Sequence, residues 1–169
     1  MKKALLLGDS IRMGYDDMVR SLLAGRAEVL YDPQDNGRFA AYTLWQANQL
    51  LRAHGPVDVV HWNNGYWDMN IESPMREPIH PIPEYQHFLR RILGLCRSGA
   101  ALRYQSEWVE AYNAAALEVM RAENVPVNDL YALCREAPGL YKCADGLHLT
   151  EEGYRACARQ VASCIERYL

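Results

Sequence analysis

Apolar residues along the chain alternate between two rhythms. Leu5-Leu6-Leu7 is a continuous apolar run broken at Gly8-Asp9-Ser10, which predicts a short strand buried on both faces. From Ile11 to about Leu23 the spacing turns helical. Ala27-Glu28-Val29-Leu30-Tyr31 predicts a second strand, ended by the turn-rich Asp32-Pro33-Gln34-Asp35-Asn36-Gly37. Helical spacing resumes at Phe39, continues through Leu44, Ala47 and Leu51, and stops at Gly55-Pro56. The β-branched run Val57-Asp58-Val59-Val60-His61-Trp62 predicts a third strand, closed by Asn63-Asn64-Gly65.

A long loop follows from about Tyr66 to Pro83, carrying Pro74, Pro78, Pro81 and Pro83 together with Trp67, Asp68 and His80. Loops of this length inside a compact domain are usually functional or mobile. Tyr85, Phe88, Leu89, Ile92 and Leu95 form the apolar stripe of a helix from about Glu84 to Arg97, ended by Ser98-Gly99. A further helix is predicted from Trp108 to Glu123, a last strand over Val125–Tyr131, and a final helix after the cap Thr150. Short strands alternating with amphipathic helices predict an α/β fold, a mostly parallel sheet of about five strands covered on both faces. Ala100-Ala101-Leu102-Arg103-Tyr104 breaks the alternation, being too short for a full strand and its connection, so the fourth strand is expected to be truncated or missing.

A chain of 169 residues, half of them hydrophobic and 23% charged, fits a single domain, residues 1–169, with its own core. The net charge of −3 offers no basic face, which argues against nucleic acid as a partner. Met1-Lys2-Lys3 and the four apolar residues after them are too short for the core of a signal peptide, and no segment is long and apolar enough for a membrane span. A cytoplasmic protein without membrane contact is expected. Cys96, Cys134, Cys143, Cys157 and Cys164 are odd in number and contain no C-x-x-C pair, so free thiols are expected and a zinc site is not. Cys134 and Cys143 flank one loop and could approach each other, but a reducing cytosol argues against a bond between them.

The candidate chemistry lies at predicted strand ends, where open α/β sheets bind ligands. Ser10 stands where the first strand hands over to a helix, so it can cap that helix, the commoner role for an Asp-Ser pair, or present a nucleophilic hydroxyl. In Asp145-Gly146-Leu147-His148 a carboxylate can fix the tautomer of an imidazole three residues on and leave its other nitrogen free as a base. The order Ser, Asp, His is compatible with an acyl-transfer triad, although no G-x-S-x-G elbow occurs. Gly37 can bring a backbone N–H close to a ligand, and Asn63 can offer a side-chain amide; both are oxyanion-donor candidates as well as ordinary turn residues.

Gly8-Asp9-Ser10, a glycine after the second strand, an asparagine after the third and the terminal Asp145-x-x-His148 together resemble the four blocks of the SGNH (GDSL-type) hydrolases, over the whole length of the chain. The resemblance implies a flavodoxin-like α/β/α sandwich and esterase or acyl-hydrolase activity without metal or organic cofactor. Carried over by position, Ser10 is the nucleophile, His148 the base and Asp145 its orienting acid. The Ser10 N–H, the Gly37 N–H and the Asn63 amide form the oxyanion hole. The third block departs from the usual G-x-N-D, reading His61-Trp62-Asn63-Asn64, so Asn64 is an alternative donor; the first ends Asp9-Ser10-Ile11 rather than Asp-Ser-Leu.

Because many relatives deacetylate carbohydrates, the resemblance points to a short-chain acyl ester on a sugar as substrate. Trp62, Tyr66, Trp67 and Tyr42 offer aromatic faces near the expected rim, and Asp9 and Asn64 offer polar groups; Trp62 as core and Tyr42 as a helix-face residue are equal alternatives. Arg12 is expected to be structural, as are His54, His61, His80 and His87, none of which sits at a strand end with a matching acid. A lipid or thioester acyl hydrolase on the same triad and a non-catalytic carbohydrate-binding relative are the competing readings. A phosphorelay receiver is disfavoured because Asn63-Asn64 stands where its phosphate-accepting aspartate would be.

Overall fold

A computed structural model describes residues 1–99 and 109–167. The chain divides into two compact units, Met1–Leu102 and Arg103–Leu169. The first is built as β1 (Lys2–Gly8), α1 (Ser10–Leu22), β2 (Ala27–Leu30), α2 (Ala40–His54), β3 (Val59–Asn63) and α3 (Ile82–Ser98). The three strands form a parallel sheet in the order β2-β1-β3, with Leu5 opposite Leu30 on one side and Val60 on the other. This is the start of the flavodoxin-like strand order, in which the chain steps outward from β1 and then crosses back over it. Right-handed crossovers in opposite directions put α1 on one face of the sheet and α2 on the other.

Alternation along β1 shows the consequence. Leu5 and Leu7 are fully buried in a core with Leu30 of β2, Ala40, Leu44 and Ala47 of α2, and Ile92 and Leu95 of α3, while Leu6 points to the opposite face. A leucine buried to this degree contributes about 1.5–3 kcal/mol, so the triple-leucine run alone anchors both layers to the central strand. The helix boundaries lie within a few residues of those the periodicity predicts, α3 starting at Ile82 because the prolines Pro81 and Pro83 suit a first turn.

The second unit contains α4 (Val109–Ala122), α5 (Leu130–Glu136), α6 (Pro138–Tyr141) and α7 (Glu151–Glu166). Here one expected strand is corrected. Val125–Tyr131 is not a strand: Pro126 lacks a ladder donor, Val125 and Val127 are each 47% exposed, and the Asp129 carboxylate caps α5 by accepting from the Ala132 N–H at 2.8 Å. The β-branched residues mimic a strand, but none of β1–β3 pairs with them. The described residues therefore hold three strands rather than about five, and Ala100–Tyr104, the site of the expected fourth, lies outside them. Among the described residues no helix is long and apolar enough to cross a membrane.

Candidate active site

The junction of β1 and α1 is held by Asp9, not by Ser10. Asp9 is the N-cap of α1, its Oδ1 accepting from the Ile11 N–H at 2.9 Å and from Asn63 Nδ2 at 2.7 Å, and it is 1% exposed. Capping is thus done by the residue before the serine, and Ser10 stands exposed as the first residue of the helix. Its backbone N–H belongs to the set that a helix start leaves without an intrahelical partner. Asp9, expected to touch substrate, is buried with its carboxylate engaged by Ile11 and Asn63.

Gly8 adopts φ +134°, and a side chain there would run into Asn63 across the β1–β3 edge. Gly37 is required for a different close approach. A Cβ on it would collide with the Gly8 carbonyl, and the Gly37 N–H donates to that same carbonyl at 2.8 Å. That N–H ties the loop after β2 to the end of β1. The two asparagines are also separated by their bonds. Asn63 gives one amide hydrogen to Asp9 and accepts from Tyr15 Oη at 3.3 Å, keeping its second hydrogen. Asn64 gives both, to Thr43 Oγ1 at 2.8 Å and to the Arg38 carbonyl at 3.1 Å, and so fastens the loops that carry them.

Several residues that organise this edge carry no signal in a periodicity reading. Gln46 is 1% exposed and joins the two strand ends, its Oε1 accepting from the Gly8 N–H at 3.1 Å and its Nε2 donating to the Asp35 carbonyl at 3.0 Å. Thr43, fully buried three residues earlier, donates to the Gly37 carbonyl at 3.0 Å. Polar residues spaced by three beside the apolar stripe of α2 are the clue that could have found them. Arg12, buried completely, bonds Asp16 at 2.8 Å and the carbonyls of Asp32 and Asp35, so its expected structural role is what its contacts describe.

Of the aromatics, Trp62 is partly buried and packs against the core cluster. Tyr66 is 66% exposed, and Trp67 meets Phe39 edge-on at 5.6 Å. Tyr42 donates to Asp35 Oδ1 at 2.8 Å. His80 Nδ1 lies 2.8 Å from Asp68 Oδ1, and Asp68, 2% exposed, also accepts from the Ala40 N–H at the start of α2. Gly65-Tyr66-Trp67-Asp68 keeps the glycine and aspartate of the G-x-N-D pattern at its own spacing, with Trp67 in the asparagine position. That match was obscured by the asparagines just before it.

In the second unit, Asp145 and His148 form one pair. Asp145 Oδ2 lies 2.7 Å from His148 Nδ1, and Oδ1 accepts from the N–H groups of Leu147 and His148 at 2.9 and 3.0 Å. The hydrogen bond from His148, then the two backbone donors, lower the Asp145 pKa from 3.8 to about 2. An ionised carboxylate can only accept, so Nδ1 carries the proton and Nε2 presents its lone pair. The loop is closed beneath the pair by the Cys143 N–H on the His148 carbonyl, the Thr150 N–H on the Tyr141 carbonyl and Thr150 Oγ1 on the Leu140 carbonyl, at 2.9, 2.9 and 2.6 Å. Among the described residues no group of three or more His, Cys, Asp or Glu side chains is arranged to hold a metal ion.

A model of the GDSL-like Lipase/Acylhydrolase family matches residues 6–156, a span that includes Ser10, Asn63, Asp145 and His148. No curated protein matches the chain.

Proposed function

Because the chain belongs to the GDSL-like lipase/acylhydrolase family, we infer that it is a serine esterase hydrolysing a short-chain acyl ester, acetyl foremost, on a carbohydrate. The observation that carries this reading is the Asp145–His148 pair, an imidazole with its tautomer set and its Nε2 left as a base. Ser10, released from capping by Asp9, supplies the nucleophile. In the first step Ser10 Oγ bonds to the acyl carbon while His148 takes its proton. The imidazolium is stabilised by Asp145, and the alcohol leaves with that proton. Water, deprotonated by the same imidazole, then cleaves the acyl-enzyme. The developing oxyanion is assigned to the Ser10 N–H at the α1 terminus and to the remaining amide hydrogen of Asn63.

Exposed Tyr66 and the edge of Trp67 supply the aromatic surface for a sugar ring in this reading. A fluorophosphonate probe should label the protein, and Ser10→Ala should abolish labelling; a panel of acetylated sugars against longer acyl esters and thioesters then identifies the substrate. One observation favours the second reading, a non-catalytic carbohydrate-binding relative: the Gly37 N–H is consumed internally. Absence of labelling on the folded protein, with sugar binding retained, selects that alternative.

A further inference from the structure

Cys134 on α5 and Cys157 on α7 bring their sulfur atoms to 3.9 Å of each other. Their alignment does not depend on the sulfur contact alone. Gln160 of α7 donates to Asn128 Oδ1 at 2.7 Å and to the carbonyl of Asp129, the α5 cap, at 3.2 Å, holding the two helices side by side. Cys134 is 6% exposed and Cys157 is half-buried. We propose that Cys134 and Cys157 are a redox-modifiable pair that forms a reversible disulfide bridging α5 to α7. A disulfide needs its sulfurs about 2.05 Å apart, so the atoms must close by about 2 Å.

With hydrogen peroxide as the oxidant, the more exposed Cys157 reacts first. Its thiolate attacks a peroxide oxygen, the O–O bond breaks, and the departing hydroxide is protonated to water, leaving a sulfenic acid. The Cys134 thiolate then attacks that sulfur and expels the hydroxyl as a second water. Two thiols lose two protons and two electrons, and one peroxide becomes two waters. Burial, then the hydrogen bond with Cys157, raises the Cys134 thiol pKa, which fits it to the second step rather than the first.

The ring closed by this bond contains α6 and the loop bearing Asp145 and His148. Oxidation thus fastens the frame on both sides of that pair, whatever reaction the pair performs. Cys134 and Cys143 flank one loop, but the sulfur that lies beside Cys134 is that of Cys157 on α7.

The test is a disulfide map of the full chain after treatment with hydrogen peroxide, alkylation of remaining thiols and digestion without reductant. A Cys134–Cys157 linked peptide is expected, lost on dithiothreitol treatment and in Cys157→Ser, and retained in Cys143→Ser and Cys164→Ser. The oxidised protein should melt at a higher temperature than the reduced one, and Cys157→Ser should show no such shift. Because a hydroxyl at buried position 134 could unfold the unit, Cys134→Ala with a native circular-dichroism spectrum serves as the second variant. Predominant pairing of Cys134 with Cys143 or Cys164, or full alkylation of Cys134 and Cys157 after peroxide, overturns the assignment.

Discussion

At Asp145 three donors converge on one exposed carboxylate, and together they keep it ionised down to about pH 2. A carboxylate with a depressed folded value stabilises the folded state above its usual 3.8, and that contribution is lost as pH falls through about 2. Asp145 therefore stays charged across an activity profile from about pH 5 to 8, and a fall in rate on acidification within that range cannot come from its protonation. The asparagines offer a second comparison. Asn63→Ala should cost about 10²–10³ in kcat, the usual effect of one oxyanion donor. Asn64→Ala, which loses only loop contacts to Thr43 and Arg38, should lower stability and leave kcat within about tenfold. Equal losses in steady-state kinetics would mean that neither amide serves the oxyanion.

Among the elements, α1 carries the most exacting electrostatic arrangement. Arg12 is completely buried, with Asp16 one turn on at 3% exposure. Burial raises the Asp16 pKa and the Arg12 guanidinium lowers it, with burial the larger effect. Ionising Asp16 thus costs folded-state stability as pH rises through its usual range, and Arg12 offsets part of that cost. Arg12→Leu should destabilise by about 3–5 kcal/mol in urea unfolding, because it strands a buried carboxylate and frees the Asp32 and Asp35 carbonyls. Arg12→Leu/Asp16→Leu should recover much of the loss. Failure of the double variant to recover would locate the value of Arg12 in its carbonyl contacts and not in the ion pair.

For the whole molecule, the proposed reaction takes Ser10 from the first unit and His148 from the second. If the two act in one mechanism, Ser10→Ala/His148→Ala should lose no more activity than the worse single variant, whereas multiplied losses would show independent contributions. The β/α alternation through Ser98 was legible because each strand is a run of apolar or β-branched residues closed by turn chemistry, as at Leu5–Gly8 and Val59–Asn63. Val125–Tyr131 misled for the same reason: Val125 and Val127 have strand composition, but a strand also requires a neighbour, which composition does not encode. The Asp145–His148 pair was readable because acid and base lie three residues apart. The fates of the Gly37 N–H, Gln46 and the Asp68–His80 pair were not, since each depends on a partner brought close by the fold from 12 to 38 residues away.

The clasp beneath Asp145 and His148 draws on nothing outside the short run from Leu140 to Gly153, where the Thr150 hydroxyl also receives the Gly153 N–H. The orientation of acid and imidazole is therefore set by bonds local to one stretch of chain, and a substitution at Thr150, which contributes three of those bonds, should disturb it.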